Sequence, residues 1–491
     1  MTAASTRRSG GSFHSRIAPF TALMLLPAAL GAQTRYDPAK PPRLGKPAPL
    51  VVPPVHRSIL ANGVALRIVE QRELPLVQIT ATIDGGARLD GRTPGLATFV
   101  AGMLDEGAGS RDAAALQSEL AYLGATLGSG ASWDDFTVSL KVPVRSLGPA
   151  LDLMADVLLR PTFAATDVRR QRDLRLAALL QQRDQPNAVA ALAFNQVVYP
   201  EGHPYHQPIG GDSASTAALD STTVRAFYDR AYRPERTTFI VVGDLSVADA
   251  RNAIQSRFGS WVARSTAAPI PAVTRAPTPL TATRVYLVDK PDAAQSVIQV
   301  GWPGVDRRSP DYAALMVMNT MLGGSFTSRL NMNLRETHGY SYGARSGFTF
   351  RKAPGPFVAS AAVRTDVTDS SLVEFFRELR RVRDERATGD DVARARNYVE
   401  LGLPGSLEGT TQVASQVAEL QTFGLTLAEL PRFAALVRAV TPADVQRVAR
   451  TYLTPDRATV VVVGDLARTR ASIDALKLGP TAVLDIRSVM R

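Results

Sequence analysis

The sequence contains no cysteine and only five histidines among its 491 residues. The first absence excludes disulfides, thiolate metal sites and a lipid-modified N-terminal cysteine. The second leaves little for histidine-based metal chemistry. His14 falls in the N-terminal segment, and His56 and His338 stand alone. His203 and His206 have metal-like spacing, but in a Pro-containing loop (GHPYHQPIGG), where a structural role is favoured. No apolar run is long enough to span a bilayer; Ile17–Leu30 (IAPFTALMLLPAAL) falls short. No Lys/Arg run interleaved with aromatics exists, so nucleic acid is not expected as a partner. The glycine-rich stretches at 127–132 and 322–325 lack the phosphate-binding strand–loop–helix pattern and its lysine. Trp133-Asp134-Asp135 reads as a strand turn, because further carboxylates for calcium are missing.

What is present is an ordinary globular composition, 45% hydrophobic and 21% charged. Net charge is +11, and setting aside Arg7, Arg8 and Arg16 leaves +8 on the remainder. Those arginines, the apolar Ile17–Leu30 and the small pair Gly31-Ala32 read as a secretory signal peptide over 1–32. The expectation is a periplasmic or otherwise exported protein with no membrane span once the signal is removed. Residues 33–54, rich in proline and basic groups, read as an extended leader.

The chain is internally duplicated. DSTTVRAFYDRAYRPERTTFIVVGDL (220–245) resembles TPADVQRVARTYLTPDRATVVVVGDL (441–466) at an offset of 221 residues. Each copy reads as a capped helix, a proline turn and a buried β-branched strand ending in Gly-Asp. The two halves are placed at 55–265 and 281–480, joined by a linker over 266–280. In the first half, strands are expected at 65–71, 76–84, 126–132, 136–144 and 238–242. Helices are expected at 94–106, 111–122, 146–159, 165–183, 187–199 and 221–231, with Ser110 as the N-cap of the second. This is an α+β layout: two homologous domains, each a mostly antiparallel sheet with helices packed on one face. Arg377–Arg386 (RELRRVRDER) reads as the solvated face of a helix.

One helix carries a more specific signal. Gly95-Leu96-Ala97-Thr98-Phe99-Val100-Ala101-Gly102-Met103-Leu104 has apolar residues at spacings of three and four. In sequence it resembles the G-L-A-H-F-x-E-H-M-L helix of the insulinase/pitrilysin-like zinc metallopeptidases, which include the mitochondrial processing peptidases. Two histidines four apart on a helix hold one zinc, and the glutamate between them activates water. Here Thr98 and Gly102 stand at the histidine positions and Ala101 at the base. The same register places the third ligand at Ala178, in RDLRLAALLQQRDQP, and its companion acid at Gln171. Threonine is a poor zinc ligand, and glycine and alanine offer no side-chain donor. The resemblance therefore implies a chain with no metal and no cofactor of its own. An asparagine that holds substrate near Gly128 in catalytic relatives is also missing.

A second segment is retained. SRLNMNLRETHGYSYGARSGF (328–348) resembles the family pattern S-R-L-x-x-x-L-R-E-x-x-G-x-x-Y. In catalytic assemblies of the family an Arg and a Tyr seven residues apart bind the substrate backbone near the scissile bond. Arg335 and Tyr342 occupy those positions, and both side chains can donate to a peptide carbonyl or its oxyanion. The resemblance implies domains facing each other around a peptide cavity. It also implies a non-catalytic subunit of a heteromeric peptidase, with zinc in a metal-bearing partner and an unfolded peptide as substrate. The rival expectations are a stand-alone peptide-binding protein and a structural subunit of an envelope complex.

Overall fold

The computed structural model describes residues 50–267, 269–272 and 277–490. The expected signal peptide, most of the expected leader and part of the join lie outside the described residues. In chain order the first half forms β1 (His56–Ile59), β2 (Ala65–Glu70) and β3 (Leu76–Asp84). A two-residue ladder follows, β4 (Gly107–Ala108) with β5 (Arg111–Asp112), then β6 (Thr126–Ala131), β7 (Asp135–Pro143) and β8 (Thr237–Gly243). The second half forms β9 (Arg284–Asp289), β10 (Gln295–Pro303), β11 (Ser341–Phe348), β12 (Pro356–Arg364), β13 (Thr459–Gly464) and β14 (Thr481–Leu484).

The sheets have orders β1-β2-β8-β3-β7-β6 and β11-β12-β10-β13-β9-β14. Read from opposite ends, β2-β8-β3-β7-β6 and β9-β13-β10-β12-β11 are the same design, with β1 and β14 added differently at one edge, so the duplication seen in the sequence is a duplication of topology. The first sheet has one parallel pair, β2 with β8, and the second has two, β9 with β13 and β9 with β14; the other neighbours are antiparallel. The strands and helices expected in the first half form within a few residues of their expected ends. The exception is the cap of the second helix. Ser110 is not its N-cap, because the β4–β5 ladder delays the helix to Ala113. Asp112 caps it instead, accepting from the Ala115 amide at 2.8 Å.

Each half packs its own helices against one face of its sheet. Phe239 and Val241 of β8 point into a core with Phe99, Leu151, Met154 and Phe227. Val460 and Val462 of β13 do the same with Leu315, Phe375 and Val448. The opposite faces carry a helix lent by the other half. Pro186–Val198, from the first half, lays Val189, Ala193 and Phe194 against Val297, Val461 and Val463 of the second sheet. Thr410–Thr422, from the second half, lays Val413, Val417 and Leu420 against Val69, Ile240 and Val242 of the first. The two helices hold the same place in the order of elements, so the exchange is reciprocal. Alternate residues of β8 and β13 thus enter different cores, and both strands are buried throughout. This is why residues 49–491 form one compact unit. At the junction of the halves a cleft of about 420 Å³ opens, lined by Pro94, Gln196, His206, Asp212 and Val489 among others. Among the described residues no helix is long and apolar enough to cross a membrane.

Candidate functional site

The helix Leu96–Gly102 begins where the backbone can approach closest. Gly95 has φ +81°, and a Cβ there would lie 2.5 Å from the Gly211 Cα, so the 203–212 loop presses on the helix start. Asp90, buried below, accepts from the Gly95 amide at 2.9 Å and the Ala97 amide at 2.6 Å. Burial pushes its carboxyl up to about 7, against the pull of both amides and of Arg175. The unfolded carboxyl loses its proton near 3.8, so between these values the folded chain holds a proton the unfolded chain does not. Stability must therefore fall as pH rises through that window, by up to about 1.4 kcal/mol per pH unit from this group. The stability advantage of the native chain over Asp90→Asn is expected to shrink from pH 5 to 7 and level off above 8 in urea titrations. An advantage that stays flat from pH 5 to 7 would mean that Asp90 is already ionised in the fold.

The four cradle positions meet. Gly102, Gln171 and Ala178 line one open cleft of about 300 Å³ with Phe99, Met103, Leu174 and Arg175, and Thr98 touches Arg175 beside it. Gly102 has nothing within 4 Å of where a Cβ would sit, so room for a side chain exists. Ala101 is wholly buried, does not line the cleft, and its carbonyl accepts from the Ser129 hydroxyl at 2.7 Å. Gln171 donates to Glu106. The side chains here do not fit zinc: the threonine hydroxyl is engaged elsewhere, and among the described residues no His, Glu or Asp lines the cleft. Thr98 Oγ1 donates to the carbonyl of Gly95 or Ile209, at 3.0 and 3.1 Å.

What lies there is a cation already built into the chain. Arg175, midway along the helix Ala165–Gln182, is four residues after Gln171 and three before Ala178, so it shares their face. Its Nη1 reaches Gly95 O at 2.9 Å, Thr98 Oγ1 at 3.3 Å and Gly210 O at 3.4 Å. Its guanidinium carbon lies 5.0 Å from the centre of the Phe99 ring. Burial lowers its pKa, and Asp90 opposes that shift. The sequence shows its helical spacing from Gln171 and Ala178, but not that its guanidinium turns into the cleft.

Arg335 and Tyr342 come together at another place. Arg335 belongs to the irregular helical stretch Met332–Thr337, and Tyr342 to the edge strand β11 at a bulge between Ser341 and Ala344. The guanidinium carbon of Arg335 lies 4.8 Å from the ring centres of both Tyr342 and Phe326. Its Nε pairs with Glu336 at 3.0 Å. Tyr342 is 86% exposed and Phe326 60%, so the group faces outward with its phenol and guanidinium accessible. Among the described contacts, none joins it to the Arg175 cleft.

The loop histidines have structural partners. His203 is buried, accepts from the Tyr205 amide at 3.0 Å and stacks on Tyr199 at 4.7 Å. Burial and then Arg351 bring its pKa down to about 4, so it is neutral. His206 Nδ1 lies 2.8 Å from the Tyr199 carbonyl. Arg351, from the second half, caps this cluster 4.1 Å from the Tyr205 ring centre. Among the described residues no three His, Cys, Asp or Glu side chains are grouped to hold a metal.

The fold is a duplicated α+β chain whose cleft at Gly102, Gln171 and Ala178 is lined by no His, Asp or Glu among the described residues. Two family models match: "Insulinase (Peptidase family M16)" over residues 68–203 and "Peptidase M16 inactive domain" over 218–399, together most of the chain. The protein is 23% identical to a probable mitochondrial-processing peptidase subunit beta of Arabidopsis thaliana, over 85% of this chain and 80% of that one. It is 28% identical to an uncharacterized zinc protease of Mycobacterium leprae, over 63% and 69%. A solved peptidase M16 inactive domain from Pseudomonas fluorescens superposes with TM-score 0.78 at 28% identity, covering 84% of this chain and 98% of that one. The chain belongs to the insulinase family, as a non-catalytic relative.

Proposed function

We propose that this chain is the non-catalytic subunit of an exported, heteromeric metallopeptidase. It holds an unfolded peptide and lends Arg335 and Tyr342 to the zinc site of a metal-bearing insulinase-like partner. The observation that carries the reading is the contrast between two places. The cradle offers no ligand and no base, whereas Tyr342 stands exposed on the edge strand β11 with the guanidinium of Arg335 from the neighbouring helical stretch against its ring. Edge strands accept extended peptides through unpaired backbone groups. A guanidinium and a phenol beside one can donate to a scissile carbonyl and to the negative charge that develops on its oxygen. The metal and base belong to the partner, and the N-terminal signal would deliver the chain to the periplasm or beyond.

The test is reconstitution. The purified chain is expected to hydrolyse no peptide and to carry no stoichiometric zinc by plasma emission spectroscopy. Mixed with its partner it should support hydrolysis. Arg335→Ala should lower that activity about 100-fold or more, as loss of an oxyanion donor does, with the complex intact by size-exclusion chromatography. Full activity of the Arg335→Ala mixture would remove the assigned role. A complex that never shows activity would favour a structural or stand-alone peptide-binding protein.

A further inference from the structure

We infer that the vacated metal cradle has become a carboxylate-binding site centred on Arg175. The ligand would be a peptide carboxylate, either a free C-terminus or an Asp/Glu side chain, with an apolar group beside it. The inference deepens the peptide-binding reading and rests on it.

The geometry has three parts. Arg175 is half-buried, and no carboxylate lies within 4 Å of its guanidinium among the described residues. Asp90, the acid that acts on it, has both oxygens engaged by backbone amides. All of its hydrogen bonds run from Nη1, which fixes the head group in place. Among the described residues Nε and Nη2 have no acceptor, and they form the edge that takes a carboxylate in a two-bonded fork. Finally, the cleft beside it is about 300 Å³ and walled by Phe99, Met103 and Leu174. That is the lower end of ligand-pocket size, enough for a carboxylate and one side chain. Glu106 lies at the rim through Gln171, but it is already paired with Arg170.

The probes are four fluorescein-labelled heptapeptides of one apolar sequence. One has a free C-terminal Leu carboxylate, one is its amide, and two further amides carry a central Glu or Gln. Anisotropy is read on the full chain, on Arg175→Gln and on Ala178→Glu. Position 178 is exposed, and an acid there would pair with Arg175 without touching the bonds of Nη1. At least one carboxylate peptide is expected to bind about 10- to 100-fold tighter than its neutral counterpart, the worth of charge-assisted bonds. Both substitutions should erase that difference. Preference for the free C-terminus identifies one source, and preference for the central Glu the other. Equal binding of all four peptides leaves the peptide-binding reading standing and overturns the carboxylate site. A preference that survives Ala178→Glu and Arg175→Gln also overturns it. Binding of none of the four overturns both.

Discussion

The triple variant Thr98→His, Gly102→His, Ala178→Glu is expected to remain without tight zinc, whereas adding Arg175→Ala should raise affinity at least a thousandfold. The cradle geometry is intact. Thr98 and Gly102 lie one helical turn apart in Leu96–Gly102, and Gly102 faces open space. Restoring donors is therefore sterically permitted. Arg175 is the obstacle, for two reasons. Its guanidinium touches the position 98 side chain, and a unit cation about 4 Å from a dication costs roughly 8 kcal/mol at an effective dielectric of 20. About half of that already corresponds to a thousandfold. A glutamate at 178 would also lie one turn from Arg175 and pair with it, which removes a ligand. Ala101 is best left unchanged, since it is wholly buried and a carboxylate there would be desolvated. Competition against a chromophoric chelator reads the result. Equal affinity of the triple and quadruple variants would show that the absent ligands alone, not Arg175, keep the metal out.

Much of this was legible in the chain itself. TTFIVVG and TVVVVG are too uniformly β-branched to have a wet face, and both are buried throughout. The helical spacing that put Gly102 on one face and Gln171 and Ala178 on another is met by a fold that apposes those faces at one cleft, with Thr98 against Arg175 beside it. Arg175 lies in the same helix but was not legible. Nothing in a helical pattern separates a guanidinium turned into a cleft from one in water. The N-cap was misplaced for a local reason: Ser110 and Asp112 are both good caps, and the short ladder of Gly107 with Asp112 decided between them. The exchanged helices were the largest omission. Pro186–Val198 and Thr410–Thr422 are recognisable as helices from local pattern, but local pattern does not say which sheet a helix covers. The hint was indirect. A strand buried on both faces needs a cover that the helices of its own half, all on one side, do not supply.

That exchange carries the other large expected effect. Phe194→Ala should destabilise the chain by about 3–5 kcal/mol, the usual loss for a buried phenylalanine. Phe194 is 2% exposed and belongs to the first half in sequence, but packs among Val297, Val461 and Val463 of the second sheet. A Cβ placed on Gly301 of β10 would come 2.1 Å from the Phe357 carbonyl oxygen and 2.8 Å from the Phe194 ring, so the neighbouring strand and this contact together explain why a glycine stands mid-strand there. The damage is therefore expected in the second half: amide exchange should accelerate in β10 and β13 as well as in the Pro186–Val198 helix. Denaturant unfolding should remain one transition, because each sheet loses the cover of one face when the other half opens. Val417→Ala, in the helix lent the opposite way, should accelerate exchange in β8 by the same logic, with a smaller loss. Acceleration confined to the helix bearing the substitution would mean that the two halves are stable separately and that the lent helices are ornaments of the surface, not part of either core.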